Sequence, residues 1–565
     1  ANCQIEDGAD LQNVILGDGC VVKAGARLSD SVLWDRVFVG RKVVIDEALI
    51  ASGTQIRENA DIEKGVVISE ECRIGEGAVV RQNVKIWPRK QVEDGSTVYT
   101  SLVWSEKWTK NLFSNHVITG LANLEITPEL ASKVGAAFGG TLPKGSSVTT
   151  SRDAHRASRM INRAFITGLI SSGVQVADLQ VTPAPVARYK LSAFGRAGGV
   201  HVACSSSDTN QIEIKIFDSE GRDLATGQQK NIERLFNRED FRRVPMMEVG
   251  EISFPARVAE RYRDELLGRL DLETIRKKHF KVVVDYAFSG ASSIFQQVLG
   301  KLNCEVIALN SYQQEVPATR SAQETVTALA NVAQIVKSLG ADLGLMLDPN
   351  AEHLYFVDDR GHPIYGEKSL MAWVSLVFAT NPGTRVCVPV STTHVVEQIA
   401  AKAHGTIIRT KTSSRALMAA ATGDKVTFCG DGFGATIFPD FQPAFDAMMS
   451  AAKLIEFLAR SEKPLSKIVE DLPRFYSETR QIPCPWEAKG AVMRQAMEYA
   501  HNHETILIDG VKVVLAKDEW VMILPDPDKP FVNLTVEAGS DNRCRELLED
   551  VQARINTWKG NGGEE

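Results

Sequence analysis

Aliphatic residues return every six positions along the first hundred residues of the chain. The three runs are Leu16, Val22, Leu28; then Leu33, Val39, Ile45; then Ile50, Ile56, Ile62, Ile68, Ile74, Val80, Ile86, Val92 and Val98. The shorter steps, from Leu28 to Leu33 and from Ile45 to Ile50, predict single-residue deletions at corners or loops. This period predicts a coil with three hexapeptides per turn, in which each short strand buries one aliphatic side chain.

Beyond the repeat, β-branched apolar runs alternate with amphipathic stretches. Lys281–Asp285, residues 293–302 and Glu305–Leu309 form one strand–helix–strand example. The alternation predicts parallel or mixed sheets with helices on both faces over residues 148–250, 281–365 and 385–475. A more strand-rich segment follows at about 480–555. Trp104 and Trp108, which lie four residues apart, predict a helical linker whose rings pack the repeat on the body.

The composition narrows the class of protein. A chain of 565 residues predicts three to five domains, at roughly 100–200 residues per domain. The formal charge of −7 comes without a polybasic run, which argues against a nucleic-acid partner. The chain shows neither a membrane-spanning run nor a signal peptide, and its nine cysteines form no CxxC pair. We therefore expect a cytoplasmic protein with reduced cysteines and no membrane partner.

The repeat resembles the hexapeptide-repeat family of left-handed parallel β-helices over about residues 5–100. Acyltransferases of that family generally use a catalytic histidine on a coil, and this region contains none. The resemblance therefore favours an oligomerisation or regulatory appendage, and a homo-oligomer. Such appendages also follow the catalytic domain of many sugar-1-phosphate nucleotidyltransferases, including mannose-1-phosphate guanylyltransferases, so an upstream nucleotidyltransferase domain is the expected partner.

Residues 112–555 resemble the phosphohexomutases, the family of phosphomannomutase and phosphoglucomutase. Residues 198–218 are similar to the family segment GGxxITASHNPxxxNGIKxF, and residues 341–361 to ADLGxxxDGDxDRxxxVDExG. Residues 438–446 and 524–538 continue the match. The resemblance implies a four-domain α/β fold, and we predict these boundaries: β-helix 1–103, linker 104–111, domains I to IV at 112–255, 256–366, 367–477 and 478–558, and a disordered tail 559–565. Domain IV is expected to be a TBP-like α+β domain.

A phosphohexomutase moves a phosphoryl group between a phosphoserine and a sugar hydroxyl, with Mg²⁺ as cofactor. Ser205 occupies the phosphoserine position, but the family's next three residues, His, Asn and Pro, are replaced by serine, serine and aspartate. The three metal-binding aspartates of the family read Asp348, Asn350 and Glu352. One negative charge is lost and one side chain is longer, so weakened Mg²⁺ binding is expected.

The sugar-binding and phosphate-binding motifs are altered as well. The sugar loop, residues 430–435, carries Asp431 where the family has glutamate. The phosphate cradle loses both arginines, which become Leu524 and Asn533. Arg152 lies in a stretch similar to the family's GRDxRxSS(R), and Lys411 lies beside a segment that normally lines the family's interdomain cleft. Together with Asp431 they are the candidate ligand-binding residues for a sugar phosphate or nucleotide.

These losses predict a body without normal mutase activity. Removing one preorganised electrostatic group typically costs about 10²–10³ in rate, and several are changed here. The first hypothesis is therefore a regulatory and oligomerisation region of a sugar-nucleotide protein. One alternative is an active phosphohexomutase that uses Ser205 and Mg²⁺, and another is a purely structural scaffold.

Overall fold

The computed structural model describes residues 2–99, 101–102, 107–108, 111–206, 208, 210–312, 321–527 and 529–560. Its first module is built from short strands. In chain order they are β1 (Gln4–Ile5), β2 (Asp10–Gln12), β3 (Ile15–Leu16), β4 (Val21–Val22), β5 (Arg27–Ser29), β6 (Val32–Leu33), β7 (Phe38–Val39), β8 (Val44–Asp46), β9 (Leu49–Ile50), β10 (Gln55–Ile56), β11 (Asp61–Ile62), β12 (Val67–Ile68), β13 (Arg73–Ile74), β14 (Val79–Val80), β15 (Lys85–Ile86), β16 (Gln91–Val92), β17 (Thr97–Val98) and β18 (Lys107–Trp108).

These strands form a three-sided coil of parallel strands. Each strand pairs with the third strand further along, giving sheets in the orders β1-β4-β7-β10-β13-β16-β18, β17-β14-β11-β8-β5-β2 and β15-β12-β9-β6-β3. The predicted aliphatic series fills the interior, where Val39, Ile45 and Ile62 are all 0 % exposed. The predicted repeat is therefore confirmed, while the left hand of the coil stays a prediction.

The shorter steps in the repeat lie at one corner of the coil. Strand β5 pairs with β8 at an offset of 17 residues (Arg27↔Val44), whereas β9 pairs with β12 at 18 (Leu49↔Val67). The shortened corners are turned by Asn13, Asp30 and Glu47, whose φ angles are +53°, +46° and +41°. A single left-handed residue at each corner closes the turn that otherwise takes one residue more.

The body carries four further sheets with flanking helices. The first comprises β19 (Val117–Leu121), β20 (Ser147–Arg152), β21 (Gln175–Val181), β22 (Arg196–Cys204), β23 (Gln211–Phe217) and β24 (Ile252–Ser253), with α1 (Pro128–Thr141), α2 (Arg156–Ser171), α3 (Ala184–Arg188) and α4 (Thr226–Arg238). The second comprises β25 (Lys281–Asp285), β26 (Glu305–Leu309), β27 (Leu343–Leu347), β28 (Leu354–Val357) and β29 (Pro363–Ile364), with α5 (Val258–Leu267), α6 (Leu272–Arg276), α7 (Ser292–Lys301) and α8 (Ala322–Leu339).

The other two sheets complete the chain. The third comprises β30 (Arg385–Pro389), β31 (Thr406–Thr410), β32 (Val426–Gly430) and β33 (Thr436–Ile437), with α9 (Glu367–Thr380), α10 (Val395–Lys402), α11 (Ser414–Ala420), α12 (Ala447–Ser461) and α13 (Leu465–Glu470). The fourth is antiparallel and comprises β34 (Tyr476–Pro483), β35 (Glu504–Ile506), β36 (Val511–Ala516), β37 (Glu519–Pro525) and β38 (Phe531–Ala538), with α14 (Trp486–Ala500) and α15 (Asp541–Gly560).

The first three sheets share one topology. Their common cores are β21-β20-β22-β23, β26-β25-β27-β28 and β31-β30-β32-β33, in which the first three strands are parallel and the last is antiparallel. The loop after the third strand of each core is therefore in an equivalent place. Because ligands of open α/β sheets bind at the carboxyl ends of strands, these three loops are where a site is expected.

Helices α1 and α2 pack unusually closely beneath the first sheet. A Cβ added to Gly135 would lie 2.2 Å from the carbonyl oxygen of Phe165, and one added to Gly168 would lie 2.1 Å from that of Ser132. The two glycines therefore permit backbone-to-backbone contact between the helices. Helix α2 also packs on β20 and β22, the strands that end at two candidate site residues.

Two local predictions differ from the structure. Residues 107–108 form strand β18, which pairs with β16, so the helical linker predicted from Trp104 and Trp108 is wrong there; Trp104 lies outside the described residues. Helix α15 continues to Gly560, past the predicted start of the tail at 559, and residues 561–565 lie outside the described part. No helix within the described ranges has the length and apolarity needed to cross a membrane.

Candidate functional site

The three loops that follow β22, β27 and β32 carry the serine, metal and sugar motifs of the sequence. Ser205 follows β22, Asp348 follows β27, and Asp431 follows β32. The repeated topology thus places these three predicted residues at equivalent strand ends. The loops after β27 and β32 meet directly, because the Leu354 amide, at the start of β28, donates to the Gly434 carbonyl oxygen at 2.9 Å.

Backbone hydrogen bonds hold the chain at Ser205 and at the preceding Cys204. The Ser205 amide donates to the Gln211 carbonyl oxygen at 2.9 Å, and the Cys204 amide donates to Asp153 Oδ2 at 2.7 Å. The other oxygen of Asp153 accepts from the His155 amide at 2.9 Å. Ser205 is 2 % exposed. Asp153 therefore links the serine loop to the beginning of α2.

Arg152 and its neighbours place positive charge beside this loop. Arg152 ends β20, and its Nη1 donates to the Asp153 carbonyl oxygen at 2.9 Å. Burial, followed by the repulsion of the nearby Arg159 charge, lowers the pKa of Arg152. Arg159 Nε is buried and makes no hydrogen bond to another described residue. An anion bound at this point would relieve the repulsion between the two guanidinium groups.

The predicted metal loop is closed by its own hydrogen bonds. Asp348 Oδ1 accepts from the amides of Glu352 at 2.7 Å and His353 at 2.8 Å. Asp348 Oδ2 accepts from His353 Nδ1 at 3.4 Å. Asn350 is 3 % exposed within the same loop. The Asp348 carboxylate therefore holds the loop together.

Glu352 is bound by two cations from the first sheet domain. Its Oε1 lies 3.1 Å from Arg188 Nη2, and its Oε2 lies 2.5 Å from Lys215 Nζ. All three side chains are largely removed from solvent, at 3 %, 2 % and 15 % exposed. Burial alone would raise the pKa of Glu352, but the charges of Lys215 and Arg188 outweigh burial and hold it well below its ordinary value. Glu352 is therefore ionised and fully paired.

His353 connects the metal loop to the sugar loop. Desolvation alone would lower the pKa of His353, but the Asp348 hydrogen bond and the charge of Asp431 raise it to about 9. Burial raises the pKa of Asp431, although its Oδ1 accepts from the amides of Phe433 at 2.7 Å and Ala435 at 3.1 Å. His353 therefore pairs with Asp348, and Asp431 shapes its own loop.

The remaining candidate, Lys411, and the altered phosphate cradle lie in other segments of the chain. Lys411 is exposed just after β31. In domain IV, the loop that replaces the phosphate cradle is held by Lys489, whose Nζ donates to the carbonyl oxygens of Asp526 and Lys529, both at 2.6 Å. Asn533 Oδ1 accepts from Gln481 at 3.2 Å within the sheet.

The donor set does not fit a divalent cation. Both Glu352 oxygens face protein cations, and Asp348 Oδ1 already accepts two amides. Mg²⁺ requires several free anionic oxygens in near-octahedral geometry. Within the described residues, no group of three or more His, Cys, Asp or Glu side chains could hold a metal ion.

A serine loop, a carboxylate loop and a sugar loop at equivalent strand ends of a four-domain α/β body define the phosphohexomutase class. Residues 110–243, 260–361 and 365–476 match the phosphoglucomutase/phosphomannomutase α/β/α domains I, II and III. Together these matches cover more than half of the chain, so its body belongs to the phosphoglucomutase/phosphomannomutase family. Residues 1–80 match the EIF2B subunit epsilon LbH domain.

Individual relatives agree with the family match. A phosphoglucomutase/phosphomannomutase of Thermococcus kodakarensis is 29 % identical over 443 residues, covering 78 % of this chain and 97 % of that protein. A probable phosphoglucosamine mutase of Pyrococcus furiosus is 27 % identical over 448 residues, with the same two coverages. The solved structure of a phosphoglucomutase/phosphomannomutase family protein from Burkholderia thailandensis superposes with a TM-score of 0.69 at 22 % identity, covering 79 % of this chain and 98 % of that one.

These relatives contradict the prediction that the body lacks mutase activity. Proteins named as phosphohexomutases align with this chain over 97 % of their own length, which favours the alternative hypothesis of an active phosphohexomutase. The prediction compared motif positions one by one. It took no account of charges that other segments bring to the same place.

Three side chains of this charged site were not predicted from the sequence. Arg188 reaches Glu352 from 164 residues away and Lys215 from 137, whereas His353 directly follows Glu352. Arg188 could have been recognised from the sequence, because it directly follows the apolar run 184–187 and a charged side chain in a buried run needs a partner.

Proposed function

We propose that the chain is a phosphohexomutase that moves a phosphoryl group between two hydroxyl positions of a hexose phosphate through Ser205. The observation that carries the proposal is the alignment with named phosphohexomutases over 97 % of their length, with a serine at the phosphoserine position. The backbone hydrogen bonds that position Ser205 support it, because phosphoryl transfer depends mainly on positioning and charge neutralisation.

In the proposed reaction, the bond between phosphorus and Ser205 Oγ breaks while a sugar hydroxyl oxygen forms a new bond to phosphorus, and the hydroxyl proton ends on Ser205 Oγ. In the second transfer, Ser205 Oγ bonds to the other phosphorus of the resulting bisphosphate, the bond from that phosphorus to its sugar oxygen breaks, and the serine proton ends on that sugar oxygen. Arg152, beside the serine loop, is the proposed phosphate-binding cation, and the loop after β32 that contains Asp431 is the proposed sugar contact. Lys411, exposed just after β31, stays a candidate ligand-binding residue.

Turnover with defined substrates tests the proposal. Purified protein is incubated with a hexose-1,6-bisphosphate and glucose-1-phosphate, mannose-1-phosphate or glucosamine-1-phosphate, and formation of the 6-phosphate is followed. We expect turnover with at least one sugar, its loss in S205A, and its retention in S206A, the matched neighbouring serine. Equal activity in wild type and S205A would show that Ser205 carries no phosphoryl group.

We further propose that the coil is left-handed and that its third sheet joins copies of the chain into a homo-oligomer. The outward positions of that sheet begin with Ile15, which is 66 % exposed, and its edge carries Trp34 and Trp87, each 52 % exposed. Exposed aromatic and aliphatic side chains of this kind are typical of interaction surfaces. Light scattering on wild type and W34E checks it: an unchanged mass would reject this surface. The upstream nucleotidyltransferase domain stays a prediction.

A further inference from the structure

Glu352 forms a buried charge cluster with Arg188, Lys215 and Asp223 where the first two sheet domains meet. Arg188 is 2 % exposed and is held from four sides: Glu352 at 3.1 Å, Asp223 at 2.9 Å, the Gly221 carbonyl oxygen at 3.0 Å, and the Phe217 ring, whose centroid lies 3.9 Å from the guanidinium carbon. A guanidinium fixed in this way cannot move aside to admit another cation without losing its contacts to two carboxylates.

Lys215 completes the cluster from strand β23. Its Nζ lies 2.5 Å from Glu352 and 3.6 Å from Glu213. Lys215 is 15 % exposed, so both carboxylates lie close to a largely buried ammonium group. The loop carboxylate at the family's metal position therefore faces two cationic side chains.

We propose that Arg188 takes the place of the divalent cation at Glu352, beside Lys215, the lysine of the family motif, so that the site binds no Mg²⁺ and acts without it. A dication at Glu352 would meet both cations at close range, where like charges repel strongly because little water screens them. The two protein cations supply the positive charge to the loop in its place. The catalytic part of this inference rests on the proposed phosphohexomutase function, whereas the binding part does not.

Direct measurement of ion binding tests the inference without relying on activity. The full chain is titrated with Mn²⁺, and free Mn²⁺ is followed by electron paramagnetic resonance. We expect no saturable site in the wild-type protein at millimolar Mn²⁺. Saturable binding that disappears in E352Q and persists in E265Q, a glutamate paired with Lys190 on the surface, would overturn the inference.

A second variant examines the role of the lysine. K215M removes one of the two cations from Glu352, so we expect a weak Mn²⁺ site to appear, whereas the surface variant K190M should stay without one. A K215M protein that is folded by circular dichroism and still binds no Mn²⁺ would overturn the role assigned to Lys215.

Chelation separates this inference from the proposed function. We expect turnover of the hexose-1-phosphate to be unchanged in EDTA. Turnover lost in EDTA and restored by Mg²⁺ would overturn the metal-independent site while supporting the mutase. If no sugar is turned over under any condition, the proposed function fails, and the Mn²⁺ titration still decides whether the cations exclude a metal.

Discussion

Lys215 and Glu352 should be strongly coupled in stability, and a double-mutant cycle measures that coupling. Removing one partner of a buried ion pair typically costs about 3–5 kcal/mol, because the other charge stays buried without compensation. Arg188 still neutralises Glu352 when Lys215 is lost, so we expect K215M to cost about 3 kcal/mol, at the low end. In E352Q, Arg188 still pairs with Asp223 and Lys215 still pairs with Glu213, so we expect this variant to lose about 2 kcal/mol of unfolding free energy.

The double variant K215M/E352Q removes both charges together. We expect it to cost about 3 kcal/mol instead of the sum of about 5, which is a coupling of about 2 kcal/mol. Urea-induced unfolding measures each free energy, with separate transitions fitted separately because a multidomain chain need not unfold in one step.

An exposed pair provides the matched control. Lys190 and Glu265 lie 2.9 Å apart but are 36 % and 47 % exposed, so K190M and E265Q should show a coupling of no more than about 0.5 kcal/mol. Additive costs at Lys215 and Glu352, equal to those of the surface pair, would refute the account of a buried charge cluster.

Three further predictions concern packing and pH. G135A should destabilise the chain by about 3 kcal/mol, because the new Cβ would lie 2.2 Å from the Phe165 carbonyl oxygen. The control variant G300A, whose Cβ would have no atom within 4 Å, should be neutral or stabilising by up to about 1 kcal/mol. Thermal unfolding compares the two variants. I62A should cost about 2–5 kcal/mol in urea unfolding, since Ile62 is 0 % exposed in the coil, and a cost below about 1 kcal/mol would contradict its place in the core. Burial lowers the pKa of Lys512 from 10.5 to about 7, so between pH 7 and 10.5 the unfolded chain binds more protons than the folded protein, and stability rises with pH. K512M should therefore stabilise the protein at pH 7 and progressively less towards pH 10. A stabilisation by K512M that does not change with pH would contradict this.

The sequence was sufficient for the repeat and for the order of the sheets. In the coil, each aliphatic residue is buried by residues one coil away, so a local period determines which side chains lie inside. The shortened steps after Leu28 and Ile45 were visible for the same reason. The hand of the coil does not follow from the period alone.

The site was only partly predictable because its charges come from distant segments. Ser205, Asp348 and Asp431 were predicted from their places in the family motifs, and each follows a strand of the shared topology. Their partners could not be found in the same way: Arg188 contacts Glu352 only after two domains have packed together. The mistaken prediction of a body without mutase activity counted lost residues and left out the cations that other segments bring to the site.

The phosphorylation state of Ser205 tests the central claim most directly. The protein is incubated with a hexose-1,6-bisphosphate, and the tryptic peptide containing Ser205 is analysed by mass spectrometry, with S205A and S206A treated in parallel. A phosphohexomutase predicts one added phosphate on Ser205, retained in S206A and discharged when glucose-1-phosphate or mannose-1-phosphate is added. A folded protein whose Ser205 never gains phosphate, with either sugar present or absent, would contradict the account.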